Sequence, residues 1–272
     1  MKYRFRRLTS VVLAAGFMFT AAACSNGSKN NLTDTVYWTA PSSVKYMLEQ
    51  TPDLKYGENP SLEMCGNETE SVQLIVTPSA NVSSYDVQVG ALTSGENSIP
   101  AENVKVFAEH YINVTAPTTA QFPAGYYPDA MIPLEYVKKA GEDKIKKGQN
   151  QAFVLQITAD EGTPAGVYSA PVTVTLNGES EVKTLRVEVR DYSISTATHT
   201  KTAFALWDDQ LVYGHYEVTP ELIDTYYEFL NDYRVTPLNV PNIKTLTPEE
   251  QAQTVYEYAV REDISGINLP YI

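Results

Sequence analysis

Trp207 ends the apolar stretch 202–207, and two adjacent carboxylates, Asp208 and Asp209, follow it. Aromatic rings stack on apolar faces, and carboxylates accept charge-assisted hydrogen bonds from donors such as hydroxyl groups. Neighbouring strand residues point to opposite faces, so only one of the two aspartates is expected to face a site. The alternative is a structural role in a loop or at the start of a helix. Trp207, Asp208 and Asp209 are therefore candidate substrate-binding residues, with a sugar as the ligand that they suit.

Cys24 ends a segment that is typical of an exported bacterial lipoprotein. Four basic residues among the first seven are followed by an apolar run at 11–23. This run is shorter than the ~20 apolar residues that span a bilayer as a helix, but it suits a signal peptide. The run ends in three alanines at 21–23, which resembles the lipobox in which the following cysteine is acylated. An ordinary secretory signal, with Cys24 incidental, is the alternative.

These features predict a lipoprotein signal peptide at 1–23, lipidation at Cys24, and a flexible tether at 24–33. The protein is then expected at the cell membrane or outer membrane, lipid-anchored and facing outside the cytoplasm. Removal of residues 1–23 would take away four basic residues and no acidic residue, which changes the formal net charge from −13 to −17. Such a charge argues against nucleic acid, and against an anionic membrane surface, as a partner.

The sequence offers no metal or cofactor motif. The three histidines have no metal-ligand spacing, and neither a glycine-rich phosphate loop nor a Gly-x-Ser-x-Gly segment occurs. Once Cys24 is acylated, only Cys65 remains, so an intramolecular disulfide is excluded. Cys65 lies in an apolar context and is expected to be a small buried side chain. We therefore expect no metal and no cofactor.

Residues 34–196 are predicted to form a β-sandwich. Short apolar or alternating segments occur at 72–76, 85–89, 104–107, 152–157 and 167–176. Asn177 and Gly178 form a strong hairpin signal, because both central residues of a type I′ turn need positive φ. The return strand is expected at 182–189, with Val182 on its alternating apolar face. The lysine-rich stretch 140–150 is expected to be a solvated loop.

Residues 197–272 are predicted to alternate between strands and helices. Strands are expected at 202–207, 237–241 and 266–270, and helices after Thr219-Pro220 and Thr247-Pro248, where threonine caps and proline takes the first helical position. The first helix is expected to present Phe229 and Tyr233 on its apolar face. This order predicts parallel strands with crossover helices, about two and a half of the eight units of a (β/α)8 barrel. The segment is therefore expected to be truncated.

Three segments resemble glycoside hydrolase family 123 and its relatives. They are Asn67-Glu68-Thr69-Glu70-Ser71-Val72-Gln73, the stretch 125–133 with Tyr127-Pro128-Asp129, and Asn150-Gln151 followed by Pro164-Ala165-Gly166-Val167-Tyr168. They occur in the family's order and span most of residues 60–190. One departure is Gly66, where family members often carry arginine before the Asn-Glu pair.

The resemblance implies an N-terminal β-sandwich followed by a (β/α)8 barrel that hydrolyses glycosidic bonds. Characterised relatives act on N-acetylgalactosaminides, where the substrate's own acetamido oxygen attacks the anomeric carbon. An Asp-Glu pair on a later barrel strand orients that group and supplies the general acid/base. This pair is expected beyond residue 272, so no catalytic residue is assigned, and whether the chain is an enzyme stays open.

These sequence features are consistent with two functions. The first is the N-terminal portion of a surface-anchored glycoside hydrolase acting on N-acetylhexosamine-containing glycans, expected to be inactive because the catalytic part of the barrel is absent. The alternative is a non-catalytic surface lipoprotein whose β-sandwich binds glycan or protein. The expected partners are a glycan and, through Cys24, a membrane.

Overall fold

The computed structural model describes residues 32–195, 197 and 199–268. Cys24, the predicted signal peptide 1–23 and most of the predicted tether lie outside the described residues. Within the described ranges, each helix is too short or too polar to cross a membrane. The predicted domain limits, 34–196 and 197–272, stay predictions, because residues 196, 198 and 269–272 also lie outside the description.

Two β-sheets form the larger part of the fold, as the alternating segments predicted. The first sheet contains, in spatial order, β1 (Val36–Pro41), β3 (Glu68–Thr77), β9 (Gln151–Ala159), β7 (Val104–Val114) and β8 (Gly125–Pro133). The second contains β2 (Ser61–Gly66), β11 (Glu179–Ser193), β10 (Gly166–Leu176), β5 (Leu92–Ser94) and β6 (Asn97–Ile99), and β4 (Tyr85–Val89) also pairs with β10. All pairs are antiparallel except β2 with β11.

The core lies between the sheets because alternate residues of the central strands point inward. Leu74, Phe153, Leu155, Val172 and Leu185 have no exposed surface and belong to one cluster that both sheets share. The predicted β-sandwich is confirmed. The short helix α1 (Leu134–Ala140) covers one end of it, and Leu134 anchors that helix in the same cluster.

The hairpin between β10 and β11 confirms one prediction and corrects another. Asn177 and Gly178 have φ of 52° and 89°, as a type I′ turn requires. Lys183, however, takes the inward position opposite Val172, while Val182 is 58% exposed. The Lys183 ammonium group lies between Glu58 and Glu181, at 2.7 and 3.1 Å, which satisfies a charge at an otherwise apolar position.

The second region contains two helices, α2 (Pro220–Asp232) and α3 (Pro248–Ala259), which begin where the sequence predicted. Thr219 and Thr247 cap them, and Thr247 forms a capping box with Glu250. Two further corrections concern α2. Its buried side chains are Tyr227 and Asn231, whereas Phe229 and Tyr233 are 56% and 60% exposed.

The three predicted strands of this region are reduced to short parallel contacts. The Phe204 amide donates to the Thr236 carbonyl at 3.0 Å, the Leu238 amide to Phe204 at 2.8 Å, and the Asn268 amide to Leu238 at 2.6 Å. We call the segments 202–206, 236–240 and 265–268 the three parallel segments. Their order agrees with the predicted β/α arrangement, although the ladders are too short to count as strands.

Hydroxyl groups hold the amino ends of the parallel segments together. Ser265 Oγ donates to the Thr202 carbonyl at 2.8 Å and accepts from the Thr202 amide at 2.9 Å. The Thr236 amide donates to Thr202 Oγ1 at 2.9 Å, and the Ser265 amide donates to Thr236 Oγ1 at 3.1 Å. Side chains thus replace part of the missing ladder and fix the spacing of the three segments.

The chain joins the sandwich and leaves it at opposite ends. Val36, at the start of β1, lies across from Thr77, at the end of β3. Ile194, just after β11, instead bonds through its amide to the Gly66 carbonyl, close to the start of β3. The full length of β3 therefore separates Thr35 from Ile194.

Candidate functional site

A cleft of about 830 Å3 opens at the carboxyl ends of the three parallel segments. Each segment contributes a polar or aromatic residue there: Trp207 follows the first, Asn239 lies near the end of the second, and Asn268 lies in the third. Leu206, Ile223, Val240 and Ile243 supply apolar walls. In β/α folds this end of the parallel strands is where ligands bind.

The structure brings the three predicted substrate-binding residues into this cleft. Trp207 is 60% exposed, Asp208 is half-buried and Asp209 is exposed. A 3-10 turn begins at Asp208 and runs to Tyr213, so strand alternation no longer applies. Both aspartates line the cleft, whereas alternation had predicted only one.

Tyr227, on α2, orients Asp208 through one long hydrogen bond. Its ring is fully buried on α2, and its hydroxyl group donates a hydrogen bond to Asp208 Oδ1 at 3.4 Å. Burial raises the pKa of Tyr227 well above its ordinary value, and the negative charge of Asp208 raises it further. The hydroxyl group therefore stays a donor, which leaves Asp209 as the freer carboxylate of the pair.

The loop after the second parallel segment is clamped to α2. Asn242 has φ of 54°, a left-handed conformation that asparagine tolerates. Its side-chain amide donates to the Pro220 carbonyl at 3.1 Å and to Asp224 Oδ1 at 2.7 Å. This clamp holds the 3-10 turn Ile243–Thr245 and places Lys244 at the cleft wall.

The cleft combines one exposed indole ring, two carboxylates, side-chain amides and one ammonium group over an apolar base. Such a set can stack on a ring and exchange hydrogen bonds with hydroxyl and amide groups. No group of three or more His, Cys, Asp and Glu side chains in the described part of the chain could hold a metal ion. The aromatic, amide and charged groups of the cleft suit a polar organic ligand.

Asn239, Lys244, Gln251 and Asn268 were missed from the sequence. Asn239 and Asn268 could have been found, because each lies near the carboxyl end of a predicted parallel strand, as Trp207 does. Lys244 and Gln251 carry no such signal, since the turn and α3 bring them to the cleft only in three dimensions.

Cys65 is buried, as predicted, and its thiol is chemically quiet. Only 2% of the residue is exposed, and Glu68 Oε2 accepts hydrogen bonds from its amide at 2.7 Å and its thiol at 3.1 Å. Burial and the bond to Glu68 raise the pKa of the thiol, which disfavours the reactive thiolate.

The Asn67-Glu68 segment serves the junction between the two regions. Asn67 has φ of 55°, and its side-chain amide donates to the Ile194 carbonyl at 2.8 Å. Arg234 donates to the next carbonyl, Ser195, also at 2.8 Å. At Gly66, a β-carbon would contact the Ser193 side chain. Glycine at this position therefore leaves room for β11.

The other two resembling segments also have structural roles. Asn150 is fully buried, accepts from the Thr77 hydroxyl at 2.6 Å, and donates to the Met47 and Gln50 carbonyls at 2.9 and 2.8 Å. Tyr168 is also fully buried and donates to the Pro164 carbonyl at 2.7 Å. Asp129 lies in strand β8 and forms an exposed ion pair with Lys45 at 3.6 Å.

No protein-family model and no curated protein matches the chain. Among solved structures, a family 123 glycoside hydrolase from Clostridium perfringens, studied for glycolipid glycan hydrolysis, has a TM-score of 0.54 and 14% identity. The match covers 73% of this chain and 35% of that enzyme, so the chain spans about a third of its length. What the two share is a fold.

Two further matches are much weaker. AvmM, which catalyses macrocyclization in alchivemycin A biosynthesis, has a TM-score of 0.29 at 11% identity, covering 56% of this chain and 92% of that one. The CooA pilin subunit from enterotoxigenic Escherichia coli has a TM-score of 0.27 at 13% identity, covering 58% and 98%. Scores this low support no inference about this chain.

Proposed function

We propose that this chain is the N-terminal portion of a surface-anchored glycoside hydrolase acting on N-acetylhexosamine-containing glycans, and that the cleft binds the glycan. The observation that carries the proposal is the position of the cleft. Trp207, Asn239 and Asn268 meet at the carboxyl ends of consecutive parallel segments, where β/α enzymes bind substrate. The shared fold with a family 123 enzyme supports the same conclusion.

The chemistry of the cleft suits an acetamido sugar. The exposed Trp207 ring offers a stacking surface, Asp209 and Asn239 can accept from hydroxyl or amide N–H groups, and Asn268 can donate to an acetamide carbonyl. The apolar base at Leu206 and Val240 can accommodate a methyl group. In this proposal the cleft supplies binding, and the general acid/base pair comes from barrel segments outside this chain.

Exposed apolar side chains on both helices support a larger barrel. Phe229 and Tyr233 on α2 lie with ring centroids 4.9 Å apart, and both are more than half exposed. Tyr256 and Val260, at the end of α3 and just beyond it, are 64% and 59% exposed. In a complete barrel each helix packs against its neighbours, which would cover such faces.

The anchor is proposed to be the lipid on Cys24.

Titration of the full chain with oligosaccharides of N-acetylgalactosamine and of N-acetylglucosamine, followed by calorimetry, tests the cleft. Trp207→Ala and Asp209→Asn are expected to weaken binding at least tenfold. Tyr213→Ala is the matched control, since Tyr213 is 89% exposed and does not line the cleft. Equal binding by all three variants would refute the cleft as the glycan site.

A trough on the sandwich favours the alternative of a glycan-binding β-sandwich. It has a volume of about 530 Å3 and is lined by Tyr37, Glu58, Glu181 and the buried Lys183, among others. Under this alternative, Glu58→Gln with Glu181→Gln would abolish binding and Trp207→Ala would leave it unchanged. The same titration therefore distinguishes the two sites.

A further inference from the structure

Four exposed lysines lie close together at the end of α1 and in the loop that follows it. They are Lys139, Lys144, Lys146 and Lys147, which we call the lysine surface. The neighbouring Lys138 pairs with Asp86 at 2.8 Å, whereas none of the four forms an ion pair with a carboxylate in the described residues.

The loop that carries these lysines is largely exposed, as predicted, and backbone hydrogen bonds hold it to the 78–82 segment. Ile145 is 5% exposed and exchanges backbone hydrogen bonds with Val82 at 2.8 and 3.1 Å. The Lys147 amide donates to Asn81 Oδ1 at 2.9 Å, and the Gly148 amide donates to the Pro78 carbonyl at 2.8 Å. The lysine side chains extend into solvent, as does Glu142.

The same 78–82 segment also holds the residue through which the chain joins the sandwich. The Ser79 amide donates to Thr35 Oγ1 at 3.2 Å. One segment therefore bonds both to Thr35, shortly after the predicted tether, and to the loop of the lysine surface. The lysine surface therefore lies at the same end of the sandwich as Thr35, where the chain enters it.

The charge distribution sets this end apart from an otherwise acidic chain. Of the 20 lysine and arginine residues in the sequence, five precede residue 32 and five more lie between 138 and 147. Glu142 and Asp143 lie within this stretch, Glu135 precedes it, and Glu179 and Glu181 line a pocket with Ser79 and Val82 at the same end. Carboxylates that lie farther from these lysines than the Debye length of ~8–10 Å contribute little to the field at the lysine surface, because salt screens them.

We propose that the lysine surface binds the anionic headgroups of phospholipids and so orients the anchored protein on its membrane. This inference rests on the proposed anchoring through Cys24. The overall charge argued against an anionic membrane surface as a partner, but the field near a surface is set by the charges that approach it. Each lysine close to an anionic bilayer strengthens binding roughly fivefold.

Sedimentation with lipid vesicles tests the lysine surface without the anchor. The chain from residue 24, with Cys24→Ser to prevent acylation, is mixed with vesicles of phosphatidylcholine alone or with phosphatidylglycerol. We expect binding only with phosphatidylglycerol, and its loss when the salt concentration is raised. Replacing the four lysines of the surface by glutamine should weaken binding at least tenfold. Glutamine at Lys45, Lys55, Lys105 and Lys201 is the matched control and should leave binding within about twofold.

Three outcomes decide the proposal. Equal weakening by both sets of substitutions, or no dependence on phosphatidylglycerol, overturns it. Acetylation of lysines in the acylated full chain on vesicles gives a second measurement: Lys144, Lys146 and Lys147 should be protected relative to Lys105 only with phosphatidylglycerol. Equal modification at all four positions also overturns it. Failure of the anchor itself would show separately, as no fatty-acid label on Cys24.

Discussion

The hydroxyl group of Tyr227, on the fully buried side of α2, donates to Oδ1 of Asp208 across 3.4 Å. This bond links the packing of a helix to the wall of the candidate cleft. Asp208 is thus oriented by the fold, whereas the adjacent Asp209 stays exposed to solvent.

Tyr227→Phe should weaken glycan binding about fivefold, because the ring packing is kept while Asp208 loses its donor. Tyr258→Phe is the control: its hydroxyl accepts from the buried Asn231 side chain at 3.1 Å and lies outside the cleft. Calorimetric titration measures the affinities, and thermal unfolding measures the stabilities. Both variants should lose a similar amount of stability, whereas only Tyr227→Phe should lose affinity. Equal affinities of the two variants would contradict the orienting role of Tyr227.

Gly66→Ala should destabilise the protein by about 1–3 kcal/mol, because the added β-carbon would meet the Ser193 side chain. Ser193→Gly removes that side chain, so the double variant should recover most of the lost free energy of unfolding. Urea denaturation of the two single variants and the double variant gives the coupling between the positions. Strict additivity would show that the contact does not exist.

Asn150→Ala should cost about 2–3 kcal/mol, since it leaves the Met47 and Gln50 carbonyls and the Thr77 hydroxyl without their buried partner. Asn59→Ala removes a single exposed bond to the Thr184 amide and should cost well under half as much. Chemical denaturation compares the two. An equal, small loss of stability in both variants would mean that the Asn150 side chain does not hold the 42–50 segment in place.

Glu109→Gln should stabilise the protein at neutral pH by about 1 kcal/mol. Burial raises the pKa of Glu109, with only partial opposition from the charge of Lys45, and its Oε2 has no hydrogen-bond partner among the described residues. A carboxyl group whose pKa is raised on folding favours the folded state when protonated, so that stability is lost as the pH rises through the raised value.

The gain in Glu109→Gln should therefore shrink as the pH falls below the ordinary carboxyl range, where the parent side chain is protonated in both states. Unfolding measured across this range checks the sign. Glu102→Gln, at an exposed position, should show little difference at any pH. A constant gain for Glu109→Gln at every pH would indicate a cause other than ionisation.

The sequence predicted those features that depend on neighbouring residues. The Asn177-Gly178 turn and the threonine caps of α2 and α3 are local, and all three are present. The inward position of Lys183 could not be predicted, because its charge is satisfied by Glu58, which is distant in sequence. Likewise, the apolar run at 202–207 predicted a strand, but hydrogen bonds of threonine and serine hydroxyl groups replace part of the backbone pairing that a strand would have.

The candidate site was predicted in part. Trp207, Asp208 and Asp209 were identified because they follow an apolar segment, and the structure brings them together in one cleft. Their partner Tyr227 was hidden, since helix periodicity alone gave the apolar face of α2 to Phe229 and Tyr233. The choice between these faces depends on α3, which buries Tyr258 against Asn231.

Thr35 and Ile194 lie at opposite ends of the sandwich, so under the proposed anchoring at Cys24 the sandwich would separate the lipid from the cleft. Strand β3 has 10 residues, so it spans about 30 Å. The amino ends of the parallel segments lie near the junction with the sandwich, where Arg234 bonds to Ser195, and the cleft opens at their other ends. If the proposed anchoring holds, this distance of about 30 Å would keep a large ligand of the cleft away from the bilayer.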